Sequence, residues 1–385
     1  MRNSYCISVG LYYDRKRNPF ALLDVTQSSE YLFQFFRDRI HDFAKHESEF
    51  PPPIPGADPW LLASLLQKAI RRGDVATARR AARHLLKLDP PRLWRRLMTV
   101  ALEDIGIGDD AIAAELVAIA TSSMARRLLG NNEQAVDCAV RRACAATKDR
   151  TGDHFSSMEH QIAGPEHDEL RAASKDACFA ILSSPRVEWQ RRLRAAVLLW
   201  DPTCETVQQR KQTFAPAAQA FEQLGAPAHL TAACETYATR ARDRLPIFVL
   251  LAWCLWREDG APRAITSHVL PISEMIGPFP GYAFDPIRTR LGRWAIDQWL
   301  RSYQFPPFDA RQIAIALWNA ESAACTRTLA WSLGAVIEQQ ARSADLLARG
   351  LPAERHDEIA AWIVKEQTAL ACARRGVWER ALRNP

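Results

Sequence analysis

At 385 residues, with 48% apolar and 24% charged side chains, the chain has the composition of a soluble globular protein of two or three domains. No run of about eighteen apolar residues occurs, so we expect no membrane-spanning helix. The nine cysteines form no Cys-x-x-Cys pair, and the N-terminus lacks a continuous apolar signal core. We therefore expect reduced thiols, no zinc site and a cytoplasmic protein.

The formal net charge of +6 is concentrated in one segment. Residues 59–150 hold 16 Lys and Arg against 10 Asp and Glu, so this segment alone carries the net charge of the whole chain. A basic segment within an otherwise balanced protein is one feature of proteins that contact nucleic acid.

The first predicted elements are two short strands within residues 4–26, SYCISVGLYY and FALLDV, separated by the polar turn DRKRNP. They predict a small N-terminal β-hairpin. Ser28 or Ser29 is then expected to cap an aromatic-rich helix, and PPPIPGADP to form a stiff linker. We assign residues 1–50 to an N-terminal hairpin and helix.

Residues 59–150 are predicted to form a helical module. Asp58 suits the N-cap of a first helix, which Gly73 ends, and Asp74 suits the N-cap of a second. Pro90 and Pro91 are predicted to end the second helix. A third helix is expected to start near Arg92 and to stop at Gly106. Short loops predict a helical hairpin packed against this third helix.

The second helix of the module presents a stripe of cations. Arg79, Arg83 and Lys87 recur every fourth residue, with Arg80 beside them, so they project from one helix face. Such a stripe is suited to contacting nucleic-acid phosphates. The alternative interpretation is a solvated helix face, which is where charged residues usually lie.

The same segment resembles a known family. The runs LQKAIR, with an Asp following, and RRL…ALEDIG are similar to the helical region C-terminal to the ATPase in the RarA/MgsA family of clamp-loader-like AAA+ proteins. Residues about 60–120 carry the resemblance, in which Ala69 and Leu102 replace usual serines. The matching residues are Lys68, Arg71, Asp74, Arg95, Arg96, Glu103, Asp104 and Gly106.

The resemblance implies shared ancestry of a helical module rather than shared activity. The family acts at stalled or damaged replication forks, and the motifs of its ATPase are missing from this chain. None of the sixteen glycines is followed by Lys, so no phosphate-binding loop is present, and no strand-Asp-Glu box occurs. We therefore expect no ATPase activity, no catalytic residues, no metal and no cofactor.

Glu103 and Asp104 form an acidic pair at the end of the third predicted helix. Adjacent helical residues point about 100° apart, so we expect no convergent catalytic dyad. A structural role is expected instead, with Arg71, Arg95 or Arg96 as the ion-pair partner.

Residues 148–167 are the least periodic stretch and are predicted to be a long loop. His154, His160 and His167 occur there among carboxylates, which leaves a metal or acid–base site as an alternative to a solvated loop. The spacing matches no H-E-x-x-H helix.

The remainder of the chain is predicted to be helical. One domain, residues 168–260, carries helices near 168–183, 186–200, 207–224, 228–243 and 245–258. A Pro-interrupted, Trp-rich domain, residues 261–385, carries helices near 286–303, 309–321, 322–349 and 353–382. Its tryptophans are interpreted as core or interface anchors. The fold class is mainly α, either a multi-helical bundle or an irregular α-solenoid.

Two functions of different class fit these features. The first is a non-enzymatic, DNA-associated helical adaptor of replication, repair or mobile-element maintenance. The alternative is a helical protein–protein interaction scaffold that binds no nucleic acid. We expect a protein partner and leave a homo-oligomer open.

Overall fold

The structure is a computed structural model. It describes residues 27–42, 52, 54, 57–159, 165–200, 202, 206–260, 262–270, 273–287, 289–304, 306–348 and 350–383. The predicted mainly helical fold is confirmed, and the described strands form only two small two-stranded sheets. The predicted N-terminal hairpin lies outside the described residues.

The first helices of the described chain are α1 Gln27–Asp38, α2 Pro59–Arg71, α3 Val75–Leu88, α4 Pro90–Val100, α5 Asp110–Thr121, α6 Ser123–Leu128 and α7 Asn132–Ala145. The predicted caps of α2 and α3 are confirmed. Asp58 accepts from the Trp60 and Leu61 amides at 2.7 and 2.8 Å, and Asp74 accepts from the Thr77 amide at 3.0 Å.

The predicted N-cap of α1 at Ser28 or Ser29 is wrong by two or three residues. This helix already begins at Gln27 and contains both Ser28 and Ser29. The Ser28 hydroxyl donates to Glu235, so a tertiary contact occupies the group that was expected to cap the helix.

Pro90 and Pro91 begin α4 and do not merely end α3, which corrects the predicted start near Arg92. The Asp89 backbone amide closes α3 on Leu85, while its side chain accepts from the Arg92 amide at 3.0 Å. Proline suits this position because the first amides of a helix have no intrahelical acceptor.

The stop predicted at Gly106 is confirmed. After α4 the chain widens into one π-helical turn, Ala101–Ile105, and Gly106 follows with a φ of +48°. A Cβ at this position would lie 2.8 Å from the Asp149 carbonyl oxygen. Only glycine combines this left-handed backbone with so close an approach.

The middle of the chain forms α8 Thr151–Met158, α9 Pro165–Ala172, α10 Lys175–Ser183, α11 Trp189–Leu199, α12 Val207–Gln223, α13 Ala228–Ala238 and α14 Leu245–Asp259. The long loop predicted at 148–167 is wrong, since α8 occupies its centre. Buried Phe155 and Met158 anchor α8 to the core. The helix predicted at 168–183 is divided where Ser174 caps α10.

The last third comprises β1 Ala264–Ser267, β2 Met275–Ile276, β3 Phe279–Pro280, α15 Arg290–Leu300, α16 Ala310–Leu317, β4 Arg327–Ala330, α17 Ser332–Ala348, α18 Ala353–Lys365 and α19 Gln367–Arg383. β1 pairs antiparallel with β4, and β2 with β3. The helix predicted at 322–349 is wrong before Ser332, because residues 327–330 form β4. The helix predicted at 353–382 is interrupted at Glu366.

One large hydrophobic core runs from α1 to α19, and a smaller one lies among α15, α16, α18 and α19. α3 packs between α2 and α7, while α8 packs against α14 and α17. Among the described helices, none is both long and apolar enough to cross a bilayer. Three of the tryptophans interpreted as anchors are buried, Trp299, Trp331 and Trp378, whereas Trp294 is 42% exposed beneath the guanidinium of Arg290.

Candidate functional sites: a basic helix face and a charged cleft

The predicted cationic stripe lies on the side of α3 that borders α7. Arg79 forms an ion pair with Asp137, and the Arg83 Nη2 lies 3.8 Å from a Glu133 carboxylate oxygen. Lys87 is exposed at the end of α3. Two members of the stripe therefore meet acidic side chains of α7, which the sequence did not indicate.

These ion pairs reduce the positive charge of the face without cancelling it. α3 contains four Arg and Lys residues and no acidic residue, while α7 contributes two of each sign. Within the described part of the chain, neither Arg80 nor Lys87 has a carboxylate in ion-pair range. Burial and the charge of Lys87 lower the pKa of His84, so this imidazole adds no charge at neutral pH.

The residues that match the family motif are mostly buried and joined to one another. Arg71 donates from Nε to Asp104 at 2.5 Å and from Nη2 to Glu103 at 2.8 Å. Burial opposes the charge of Arg71, but the two carboxylates outweigh it and raise its pKa above the usual value. The two carboxylates therefore do converge, contrary to the helix-angle argument, while the expectation that they form no catalytic dyad stays a prediction. Both reach the same guanidinium from the π-helical turn.

The amide of Gln67 extends this network. Its nitrogen donates to Glu103 at 2.8 Å and to Asp104 at 2.9 Å, while its oxygen accepts from Arg96 at 2.7 Å. Arg96 therefore reaches the acidic pair through Gln67. Arg95 is half-buried on α4.

Other motif residues tie the module to distant parts of the chain. The Lys68 ammonium lies 3.0 Å from Asp285 and donates to the Tyr282 carbonyl at 2.9 Å. The Tyr282 hydroxyl donates to Asp74 at 3.2 Å, and Arg71 donates to the Ser322 carbonyl at 2.6 Å. Each contact connects residues more than two hundred positions apart, so the motif residues hold the tertiary structure together.

Next to this network, Arg150 pairs with Asp153 and lies 3.5 Å from Asp104. Burial raises the pKa of Asp153 to about 6. Burial, together with the charges of Arg150 and Arg71, lowers the pKa of His154 to about 3. At neutral pH the carboxyl is ionised and the imidazole is neutral.

These groups line a cleft of about 900 Å³. α8 and α17 form its walls, and the β1–β4 ribbon covers it. Asp149 lies at its edge, where its carboxylate accepts from the Trp331 indole at 3.1 Å and the Thr151 amide at 3.0 Å. Burial nevertheless raises the pKa of Asp149 to about 6.

Of the three histidines of the predicted loop, the structure describes the side chain of His154 alone. His154 lies on α8, His160 lies outside the described residues, and nothing of the His167 side chain is described. Within the described ranges, no three His, Cys, Asp or Glu side chains are grouped in a way that suits a metal ion.

Comparisons with protein-family models, with curated proteins and with solved structures found no match. The resemblance to the RarA/MgsA helical region therefore stays a prediction from sequence.

Sequence reasoning missed the cleft because its parts are far apart in the chain. Residues 148–157 meet residues 264–270 and 318–345 only after folding. One local signal was present, the Lys148-Asp149-Arg150 run that ends the basic segment. The Lys148 ammonium is buried and donates to the carbonyls of Ala143 and Ala146 at 2.8 and 2.6 Å.

Proposed function

We propose that the protein is a non-enzymatic helical adaptor that binds DNA phosphates through the basic face of α3 and α7. The observation that supports this proposal is the net positive charge of that face. α3 carries four cations and no acidic residue, while the two acidic residues of α7 are balanced by its two arginines. Phosphate contacts by Arg and Lys position a protein on a duplex without reading its sequence. DNA binding is therefore expected to be independent of sequence.

Arg80 and Lys87 are the principal phosphate contacts in this proposal. Arg79 and Arg83 contribute less, since Asp137 and Glu133 already bind them. Two or three phosphate contacts predict that the logarithm of the binding constant falls against the logarithm of salt concentration with a slope of about −2 to −3.

The experiment compares a double variant, Arg80→Glu with Lys87→Glu, against the parent on a duplex of arbitrary sequence. Losing two contacts predicts a slope that is shallower by about 2 and at least tenfold weaker binding at low salt. The matched control is Arg293→Glu with Arg301→Glu, an identical change of charge at two exposed positions on or next to α15. Equal binding by the parent and the first variant would refute the proposal.

A helical scaffold that binds another protein is the second candidate, and the cleft between α8, α17 and the β1–β4 ribbon favours it. A concave pocket with a few convergent polar groups is the usual form of a binding site. A cytoplasmic location and a homo-oligomeric state stay predictions.

A further inference from the structure

The outer edge of β1 has unused backbone hydrogen-bonding groups. The His268 amide donates to the Thr326 carbonyl at 2.7 Å, which makes this pair hydrogen-bonded across the ribbon. In an antiparallel pair, such residues alternate with ones whose backbone groups point away. Ala264 and Thr266 thus bond toward β4, while the N–H and C=O groups of Ile265 and Ser267 point outward.

The far side of the ribbon confirms this alternation. The Lys148 amide donates to the Arg327 carbonyl and the Leu329 amide to the Lys148 carbonyl, both at 2.9 Å. Arg327 and Leu329 are the register partners of Ser267 and Ile265. Lys148 therefore covers the β4 edge, and within the described residues no strand covers the edge of β1.

The edge of β1 is accessible and partly apolar. All four of its residues are exposed, Ile265 by 49%, and Val269 just beyond them is fully exposed. An uncovered strand edge of this kind is a template for another extended chain.

The cleft lies beneath the same ribbon. Ala264, Thr266 and His268 share one face of β1 and line the cleft with small or polar side chains. The exposed Glu338 of α17 and the buried Asp149 carboxylate line the same cleft. Burial, with a smaller contribution from Glu338, raises the pKa of Asp149.

Carboxylates outnumber cations in the cleft lining. The carboxylates are Asp149, Asp153, Glu338 and Asp345, and the cations are Lys148, Arg150 and Arg342. Lys148 donates to carbonyls and Arg150 pairs with Asp153, whereas Glu338 is exposed and has no ion-pair partner among the described residues. The surroundings of Glu338 therefore suit a basic side chain.

We propose that β1 and the cleft bind an extended segment of a partner protein. The segment adds to the outer edge of β1 as a third strand, and its backbone bonds to the N–H and C=O groups of Ile265 and Ser267. Its alternate side chains point into the cleft, as those of Ala264 and Thr266 do, and one of them is a Lys or Arg beside Glu338.

A second copy of β1 is a poorer occupant for this edge. The strand reads AITS and contains no Lys or Arg, so its pairing with an identical strand would bring no cation to the cleft. The proposal is independent of DNA binding, because the basic face of α3 and α7 contributes none of these groups.

The test pans a phage-displayed random heptapeptide library on the immobilised full chain. Enriched peptides are expected to alternate β-branched residues with a Lys or Arg. A synthetic copy of the winning peptide should bind the chain in a fluorescence titration. N-methylation of the peptide amides that face β1 should weaken binding at least tenfold, because strand addition requires those donors.

Two variants locate the site. Ser267→Pro removes an outward amide without removing a bond to β4, and Glu338→Lys reverses the charge in the cleft; each should weaken binding at least tenfold. Ser267→Thr and Glu30→Lys are matched controls that should bind like the parent, since Glu30 is exposed on α1 and this helix contributes no residue to the cleft lining. Thermal melts verify that each variant is folded.

Three outcomes would overturn the proposal. The first is a library that yields no enriched peptide, and the second is a winning peptide whose N-methylated form binds equally well. The third is a concentration-dependent dimer that Ser267→Pro dissociates, since a second copy would then occupy the edge.

Discussion

The helical module of residues 59–150 and the cleft beneath the β1–β4 ribbon hold charged side chains in opposite ways. In the module, Arg71 is almost fully enclosed and its guanidinium is shared between Glu103, Asp104 and a carbonyl. At the cleft, Glu338 is exposed, while the neighbouring Asp149 carboxylate is buried and accepts from Trp331 and Thr151. Removing one partner of an enclosed, fully bonded charge destabilises the fold, whereas an exposed charge at a cleft is available to a ligand.

The largest expected effect comes from Asp104→Ala, which disturbs the enclosed charge network of the module. This change leaves the buried Arg71 without its closest carboxylate, and removing one partner of a buried pair costs about 3–5 kcal/mol. Chemical denaturation should detect the loss, while DNA affinity changes little. The control is Asp297→Ala at an exposed position of α15. An unchanged free energy of unfolding for Asp104→Ala would show that the network is dispensable.

The next effect concerns Asp149 and the pH dependence of stability. Burial raises its pKa from 3.8 to about 6, so the folded state binds this proton more tightly than the unfolded state does. The stability that the bound proton provides is complete below pH 4 and is lost as the pH rises through 6.

Asp149→Asn keeps an acceptor for Trp331 but cannot ionise. The parent should lose roughly 3 kcal/mol relative to this variant between pH 3 and pH 7, since each pKa unit corresponds to about 1.4 kcal/mol. Urea denaturation at several pH values measures the difference. Parallel pH profiles for the two proteins would contradict the raised pKa.

A third effect concerns Gly106, where a positive φ and close packing coincide at the end of the module. Gly106→Ala places a methyl group 2.8 Å from the Asp149 carbonyl in a left-handed conformation. Gly260→Ala is the comparison, because its φ is also positive, +63°, no atom lies within 4 Å, and its ψ of 6° is left-handed helical, whereas the ψ of Gly106 is −127°. Gly260→Ala should cost about 1 kcal/mol, and Gly106→Ala should cost distinctly more, because its backbone is less accessible to alanine and its methyl group is crowded. Equal melting temperatures would mean that the chain yields easily at Gly106.

The smallest effect distinguishes the cations within the basic face. Arg79→Ala removes the ion pair with Asp137 and should lower the free energy of unfolding by about 1 kcal/mol or less. Arg80→Ala should leave stability unchanged and weaken DNA binding more than Arg79→Ala does. The opposite order of DNA affinities would reassign the phosphate contact to Arg79.

Several parts of the fold and of the candidate sites could be predicted because their signals are local. Asp58, Asp74 and Gly106 mark helix ends through bonds and dihedral angles within a few residues. Arg71 was among the partners expected for the acidic pair, and the structure selects it. By contrast, the ion pairs of Arg79 and Arg83 depend on how α7 packs against α3, so the stripe was predicted as more exposed than it is.

The sequence by itself determined the helical character of the chain, the boundaries of α2 and α3, and the location of the net positive charge. Tertiary structure decided that residues 327–330 form a strand and residues 151–158 a helix, and it assembled the cleft. The physical reason is the distance along the chain over which each interaction acts. Caps and periodicity act over one or two turns, whereas β4 is fixed by backbone bonds to Lys148 and β1, which lie far from it along the chain.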